Sequence, residues 1–176
     1  MKLRTLIPAD GAALLAFEIE NRDWFERFIP PRPDALYSEA GMAEHIAACL
    51  ADHAKGAFHP CVMVADGGKI VGRANLRDMD LASRTAKIGY RVAERHAGRG
   101  LAGAAVAHLQ GLARSEWRLE RLYAHVTPIN PASARVLEKS GFVKTGLVPE
   151  MTVVKGITLG CHEYVYELNG DDGERR

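Results

Sequence analysis

Polar and apolar side chains alternate through residues 2–7 (KLRTLI) and stop at Pro8, which predicts an edge strand feeding a helix from near Asp10. That helix carries Leu14, Leu15, Phe17 and Ile19. Trp24, Phe25 and Phe28 keep helical spacing through NRDWFERFIPPRP until Pro30, Pro31 and Pro33 end it. A loop follows. From Ser38, a candidate N-cap, the residues Met42, Ile46, Cys49 and Leu50 fall on one helical face, and Gly56 ends the helix.

Two short runs, HPCVMVAD and KIVGRANLRD, are separated by Gly67 and Gly68 and read as a hairpin; TAKIGYRVAE completes an antiparallel meander. The period then changes. From Arg99 the apolar set Ala102, Ala105, Val106, Leu109 and Leu112 recurs every three or four residues, as on an amphipathic helix. RLYAHVT reads as a strand, Pro131 opens a helix that runs through Lys139, and Gly141 caps it. FVKTGLV and TLGCHEYVYELN are the last extended runs. Without repeats or linkers, the chain reads as one α+β domain over residues 1–170, with DDGERR (171–176) as a frayed tail. Helices flank a mixed, mainly antiparallel sheet of six to seven strands in three layers.

Composition narrows the function classes. The 176 residues are 47% apolar and 26% charged, enough for one core. Twenty-three basic side chains balance 22 acidic ones, for a formal net charge of +1. Bulk charge therefore gives no reason to expect a nucleic acid or an anionic membrane as partner, and any anion site must be local. The stretch MKLRTLIPADGA lacks the apolar region of a leader, and no later run approaches the roughly 18 apolar residues of a membrane span, so a soluble cytoplasmic protein is expected. Cys49, Cys61 and Cys161 are odd in number and widely spaced, which suits inert thiols better than a disulfide framework. His96 and the other histidines lack metal-ligand spacing, so no metal is expected.

The segment IGYRVAERHAGRGLAGAAVAHL ends a strand, turns on Gly98 and Gly100, and starts a helix at once. Glycines let the backbone approach a ligand, and the first helical turn offers unpaired N–H groups at the positive end of the dipole. Arg95 and Arg99 add full charges beside them. A diphosphate suits such a site, although the glycines could also serve only a tight turn and the arginines only solvent. The Walker pattern is absent. Gly98, Gly100 and Gly103 satisfy G-x-G-x-x-G, but the following strand ends in Thr127 and Pro128 where a dinucleotide site needs an acid, and Glu120 sits at its start, which leaves an NAD-binding protein as a remote alternative.

Arg95-His96-Ala97-Gly98-Arg99-Gly100 fits R/Q-x-x-G-x-G/A, and NPASARVLEKSGF (130–142) fits N-x-x-S-x-x-V-L-E-K-x-G-F. Together they resemble the coenzyme-A-binding motifs of the GNAT superfamily of N-acetyltransferases, in the form usual for its RimJ/RimL-like branch, closely over residues 84–145. The resemblance implies a GNAT-like acyl-CoA acyltransferase fold and transfer of acetyl from acetyl-CoA to a primary amine, without a metal. The branch suggests a protein N-terminal α-amine, of ribosomal-protein type, as acceptor; a small amine such as a polyamine or antibiotic, or a non-catalytic CoA-binding module, are the alternatives. Acetyl-CoA would lie on Val92, Arg95, Gly98, Arg99, Gly100, Leu101, Ala102, Asn130 and Ser133. The Val92 backbone would pair with pantetheine and stabilise the oxyanion, and Ser133 would act as general acid, since Leu137 stands where many members carry a tyrosine. Asn130 before Pro131 is equally a plain helix cap. Glu18, Glu20, Glu150, Glu163 and His162 are base candidates without a preference among them. Trp24, Phe25 and Phe28 are core aromatics or the lining of the acceptor site. Members often form dimers, and the sequence carries no interface pattern of its own.

Overall fold

A computed structural model describes residues 1–168; the expected tail at 171–176 lies outside them. The alternating runs form β1 (Lys2–Thr5), β2 (His59–Val64), β3 (Ile70–Asp80), β4 (Thr85–Val92), β5 (Arg121–Val126), β6 (Val143–Val154) and β7 (Ile157–Glu167). They make one sheet in the order β1-β2-β3-β4-β5-β7-β6. The helices are α1 (Gly11–Glu20), the short α2 (Arg22–Phe25), α3 (Glu39–Ala54), α4 (Leu101–Ser115) and α5 (Pro131–Lys139). β1 lies on an edge, as its early stop at Pro8 implies, and Ser38 caps α3 by accepting the Gly41 N–H at 3.1 Å.

Strand alternation divides the core between the two faces of the sheet. Leu76, Ala86, Ile88 and Leu122 face α4 and α5, packing on Val106, Leu109 and Leu137. Val62 and Ile70 face α1 and α3, packing on Leu14, Phe17, Met42 and Ile46. The sheet is thus a three-layer sandwich, mixed and mainly antiparallel, as its periodicities imply.

Only β4 and β5 run parallel among the described strands, because α4 carries the chain back over the sheet between them. Their pairing is confined to Thr85, Ala86 and Lys87 against Arg121, Leu122 and Tyr123; beyond that point the strands diverge. The last hairpin is longer than FVKTGLV suggests. Pro149 has no N–H to give a ladder and Glu150 has φ +50°, so pairing breaks between Val148 and Thr152 and resumes toward a turn at Lys155 and Gly156, both at positive φ. That interruption hides the second half of β6 from a reading by alternation.

Candidate active site

The divergence of β4 from β5 opens a cleft of about 580 Å³, lined by Gly89, Tyr90 and Arg91 on one side and Ala124, His125 and Val126 on the other. The Ala93 N–H bonds back to Val71 across β3, so alternation turns the peptide groups of Val92 away from β3 and toward the gap. The Val92 carbonyl accepts the Trp24 indole N–H at 3.3 Å. Its amide is left for a ligand, and Trp24 takes a cleft-side role that the other aromatics divide. Phe25 is core, against Phe17 at 5.4 Å, and Phe28 lines the cleft.

Past Val92 the chain is pinned where Asn21 accepts the Glu94 N–H at 3.0 Å, then turns through Gly98 (φ +74°) and Gly100 (φ +78°) into α4. A Cβ at either glycine would meet nothing within 4 Å, so packing does not require them; the left-handed backbone favours them. Gly100 caps α4 without a side chain, and the first helical bond is from the Ala104 N–H to the Gly100 carbonyl. The N–H groups of Leu101, Ala102 and Gly103 are therefore left for an anion. Arg99 is exposed beside them, whereas Arg95 is held by Glu20 at 2.8 Å.

α5 faces this loop across the cleft. Asn130 Oδ1 accepts the Ser133 N–H at 3.2 Å, so the capping role read from Asn130-Pro131 is realised. The Ser133 hydroxyl shares a 2.9 Å hydrogen bond with the Tyr90 hydroxyl, which also donates to the Ser133 carbonyl at 3.2 Å, tying β4 to α5. Burial pushes the Tyr90 phenol up to about 12 against the lowering effect of Ser133, so it keeps its proton at neutral pH.

The base candidates separate by environment. Glu18 is 1% exposed, salt-bridged to Arg73 and Arg91 at 2.9 Å each, and held below the usual carboxylate range: burial opposes this, but the two arginines outweigh it. It is a structural counter-ion and not a base. Glu20 is exposed and engaged by Lys69 and Arg95. Glu150 is exposed, and His162 pairs across from Val126 on the opposite face of the sheet from His125. Glu163 sits 3.4 Å from the Nε2 of His125. His125 lines the cleft, its Nδ1 is buried without a partner, and burial lowers its pKa despite Glu163. A neutral imidazole whose Nε2–H faces Glu163 leaves the Nδ1 lone pair free. The cleft also holds Cys161, but burial raises its thiol pKa, which speaks against a covalent acyl-enzyme.

The acetyltransferase (GNAT) domain family model matches residues 1–143. The chain belongs to the GNAT acetyltransferase family. It is 33% identical over 172 residues to a probable N-acetyltransferase, YjcK, of Bacillus subtilis, covering 97% of this chain and 94% of that one. It superposes on Mycobacterium smegmatis RimJ in complex with a CoA disulfide with TM-score 0.87 and 26% identity, over 94% of this chain and 80% of that one. A ribosomal-protein alanine acetyltransferase of Vibrio fischeri shares the fold, with TM-score 0.91 at 20% identity over 96% and 93% of the two chains. The activity is N-acetyl transfer from acetyl-CoA.

In this GNAT acetyltransferase the glycine loop enters α4 beside the splay of β4 from β5, which is not the setting of a dinucleotide-binding turn. The sheet is not doubly wound, and Glu120 is spent on Arg84 at the surface. Sequence reasoning missed Tyr90 and His125, both polar residues at the ends of strands that diverge, and Arg73 and Arg91, charges inside otherwise apolar strands. Among the described residues His53, His59 and Glu116 come close enough to hold a metal ion. However, the Trp117 N–H donates to His59 Nδ1 at 2.8 Å and Thr5 meets its Nε2 at 2.9 Å, so both ring nitrogens are already engaged.

Proposed function

We propose that this acetyltransferase acetylates the α-amine of a protein by direct attack in the β4–β5 cleft. The observation that carries the reading is the pairing of an uncapped α4 with a strand splay whose edge presents the Val92 amide. Likeness to RimJ supports the choice of acceptor. Amides of Gly98 to Ala102 and the Arg99 guanidinium hold the diphosphate, and Arg95 leaves Glu20 to join them. The Val92 N–H stabilises the oxyanion that forms as the amine nitrogen bonds to the thioester carbon. His125 Nδ1 takes the amine proton, with Glu163 behind it. As the C–S bond breaks, Ser133, held by its hydrogen bond to Tyr90, gives its proton to the sulfur and regains one from solvent, while His125 releases the amine proton to solvent. Asn130 fixes the first turn of α5 that carries Ser133. The reaction belongs in the cytoplasm.

Release of free thiol from acetyl-CoA tests this directly, with N-terminal peptides, polyamines and aminoglycosides as acceptors. Turnover of peptides supports the reading; turnover of polyamines or aminoglycosides alone replaces it, and absence of turnover with every amine leaves a CoA-binding module. Ser133→Ala should lower kcat at least tenfold while leaving the Kd for CoA unchanged, a drop of about 1.4 kcal/mol or more in transition-state stabilisation. An unaltered rate removes Ser133 as the acid. The wild-type rate should fall on acidification through a pKa below the ordinary histidine value, because burial lowers His125 and protonation occupies its free lone pair. In His125→Gln that acid limb should vanish along with most of the rate; a limb that persists assigns the base elsewhere.

A further inference from the structure

The charge lining the cleft is one-sided. Among the described residues Arg32, Arg73, Arg77 and Arg91 line it, and no carboxylate does. Arg73 stands opposite Arg91 in the β3–β4 register, Asn75 opposite Gly89, and Arg77 two residues further along β3. Alternation places Arg73, Asn75 and Arg77 on one face of the sheet, and their neighbours Ala74 and Leu76 pack in the core on the other face, with α4. The arginines therefore lie across the sheet from α5 and the glycine loop, on the side away from the diphosphate. They face whatever approaches the thioester from the α1–α3 side.

Two cations in direct register repel unless an anion lies between them. Glu18 supplies one carboxylate, receiving Arg73 Nη1 at 2.9 Å and both terminal nitrogens of Arg91 at 2.9 and 3.1 Å. That single charge also feels Arg32, so three arginines share it. Arg32 and Arg77 are exposed and have no carboxylate partner among the described residues. Arg73 is 3% exposed, spends Nη2 on His45 at 3.1 Å, and keeps a buried Nε without an acceptor. Asn75 Oδ1 is also buried and unpartnered. Gly89 opposite it adds no side chain: a Cβ there would lie 3.8 Å from Arg77 Nε. The cleft thus presents the exposed guanidinium groups of Arg32 and Arg77, with the Arg73 Nε and the Asn75 Oδ1 buried and unpartnered in its wall.

We infer that the acceptor carries a carboxylate close to the amine that is acetylated. The inference rests on the reading of the cleft as the acceptor site of an N-acetyltransferase. A carboxylate matches the planar guanidinium forks of the exposed Arg32 and Arg77, to which Arg73 and Arg91, held by Glu18, add positive charge and no free fork, while Asn75 Oδ1 and His125 Nδ1 lie unpartnered in the wall of the same cleft. A polyamine brings two or more ammonium groups to the same arginines and is repelled. The carboxylate belongs either to an acidic side chain in the first residues of a protein or to a free amino acid.

Peptides identical except for Glu, Gln or Lys at the second position, together with free aspartate, free glutamate and spermidine, test it by thiol release from acetyl-CoA. The Glu peptide should exceed the Gln peptide at least tenfold in kcat/KM and the Lys peptide at least a hundredfold. In Arg77→Glu and Arg32→Glu that order should collapse or invert, with the Kd for CoA unchanged as evidence that each variant folds. Glu and Gln peptides within twofold of each other, or a preference for Lys, overturns the inference and leaves acetylation of protein amines standing. Turnover of free aspartate or glutamate with all peptides inert upholds the carboxylate and removes the protein acceptor. Turnover of spermidine alone removes both.

Discussion

Glu18→Gln is expected to destabilise the fold by about 3–5 kcal/mol, the usual consequence of removing one partner from a buried ion pair. Glu18 is 1% exposed, and its two oxygens meet Arg73 and Arg91, whose side chains are 4% and 14% exposed. Glutamine preserves the shape and one acceptor oxygen but leaves two guanidinium groups facing each other across β3 and β4. For a domain of this size the loss corresponds to a fall in Tm of the order of 10 °C, measurable in urea or by heating. The pH dependence carries the same sign. The folded Glu18 pKa lies below its ordinary value because Arg91 and Arg73 outweigh burial, so its contribution is present above the unfolded carboxylate pKa and is lost as pH falls through the lower folded value. The variant should therefore lose less stability on acidification than the wild type does. A change under 1 kcal/mol would mean that the three groups do not act as one buried unit.

The ion cluster also marks where the sequence stops being legible. Helix starts at Ser38 and Pro131, the glycine turn at Gly67 and Gly68, and the change of period after β4 are local, and each is read from neighbouring residues. Glu18 and Arg73 are 55 positions apart, and only the packing of α1 on β3 brings them together. Glu18 thus looks like a free carboxylate, and a base candidate, until its surroundings are known. The splay is similarly non-local. Nothing in RLYAHVT or TAKIGYRV says that pairing ends after Lys87 and Tyr123, yet that ending exposes Tyr90 and His125 to a common cleft. The loop from Arg95 to Ala102 was legible because its requirements, two positive-φ glycines and an uncapped helix start, are satisfied within eight residues. The lining away from the glycine loop draws on the segment from Phe28 to Pro33 and on residues of β3 to β7, and no short motif encodes it.

Gly100→Glu should raise the Kd for acetyl-CoA more than tenfold, a loss of at least about 1.4 kcal/mol. The backbone at Gly100 is left-handed (φ +78°), which costs a residue with a Cβ about 1–2 kcal/mol, yet the position is open and exposed, so the chain can still fold. A carboxylate at a helix N-terminus is itself favourable. The new side chain can therefore satisfy the amides of Leu101 and Ala102 in the free protein and repel the diphosphate that they would otherwise bind. Competition for the same N–H groups, and not collapse of the loop, is the expected cause. Gly100→Asn separates the two, because asparagine tolerates the left-handed region and brings no charge. It should retain most of the affinity by calorimetric titration with CoA, whereas the glutamate variant loses it. Equal losses would assign the effect to backbone strain, and unchanged affinity in the glutamate variant would move the cradle away from the start of α4.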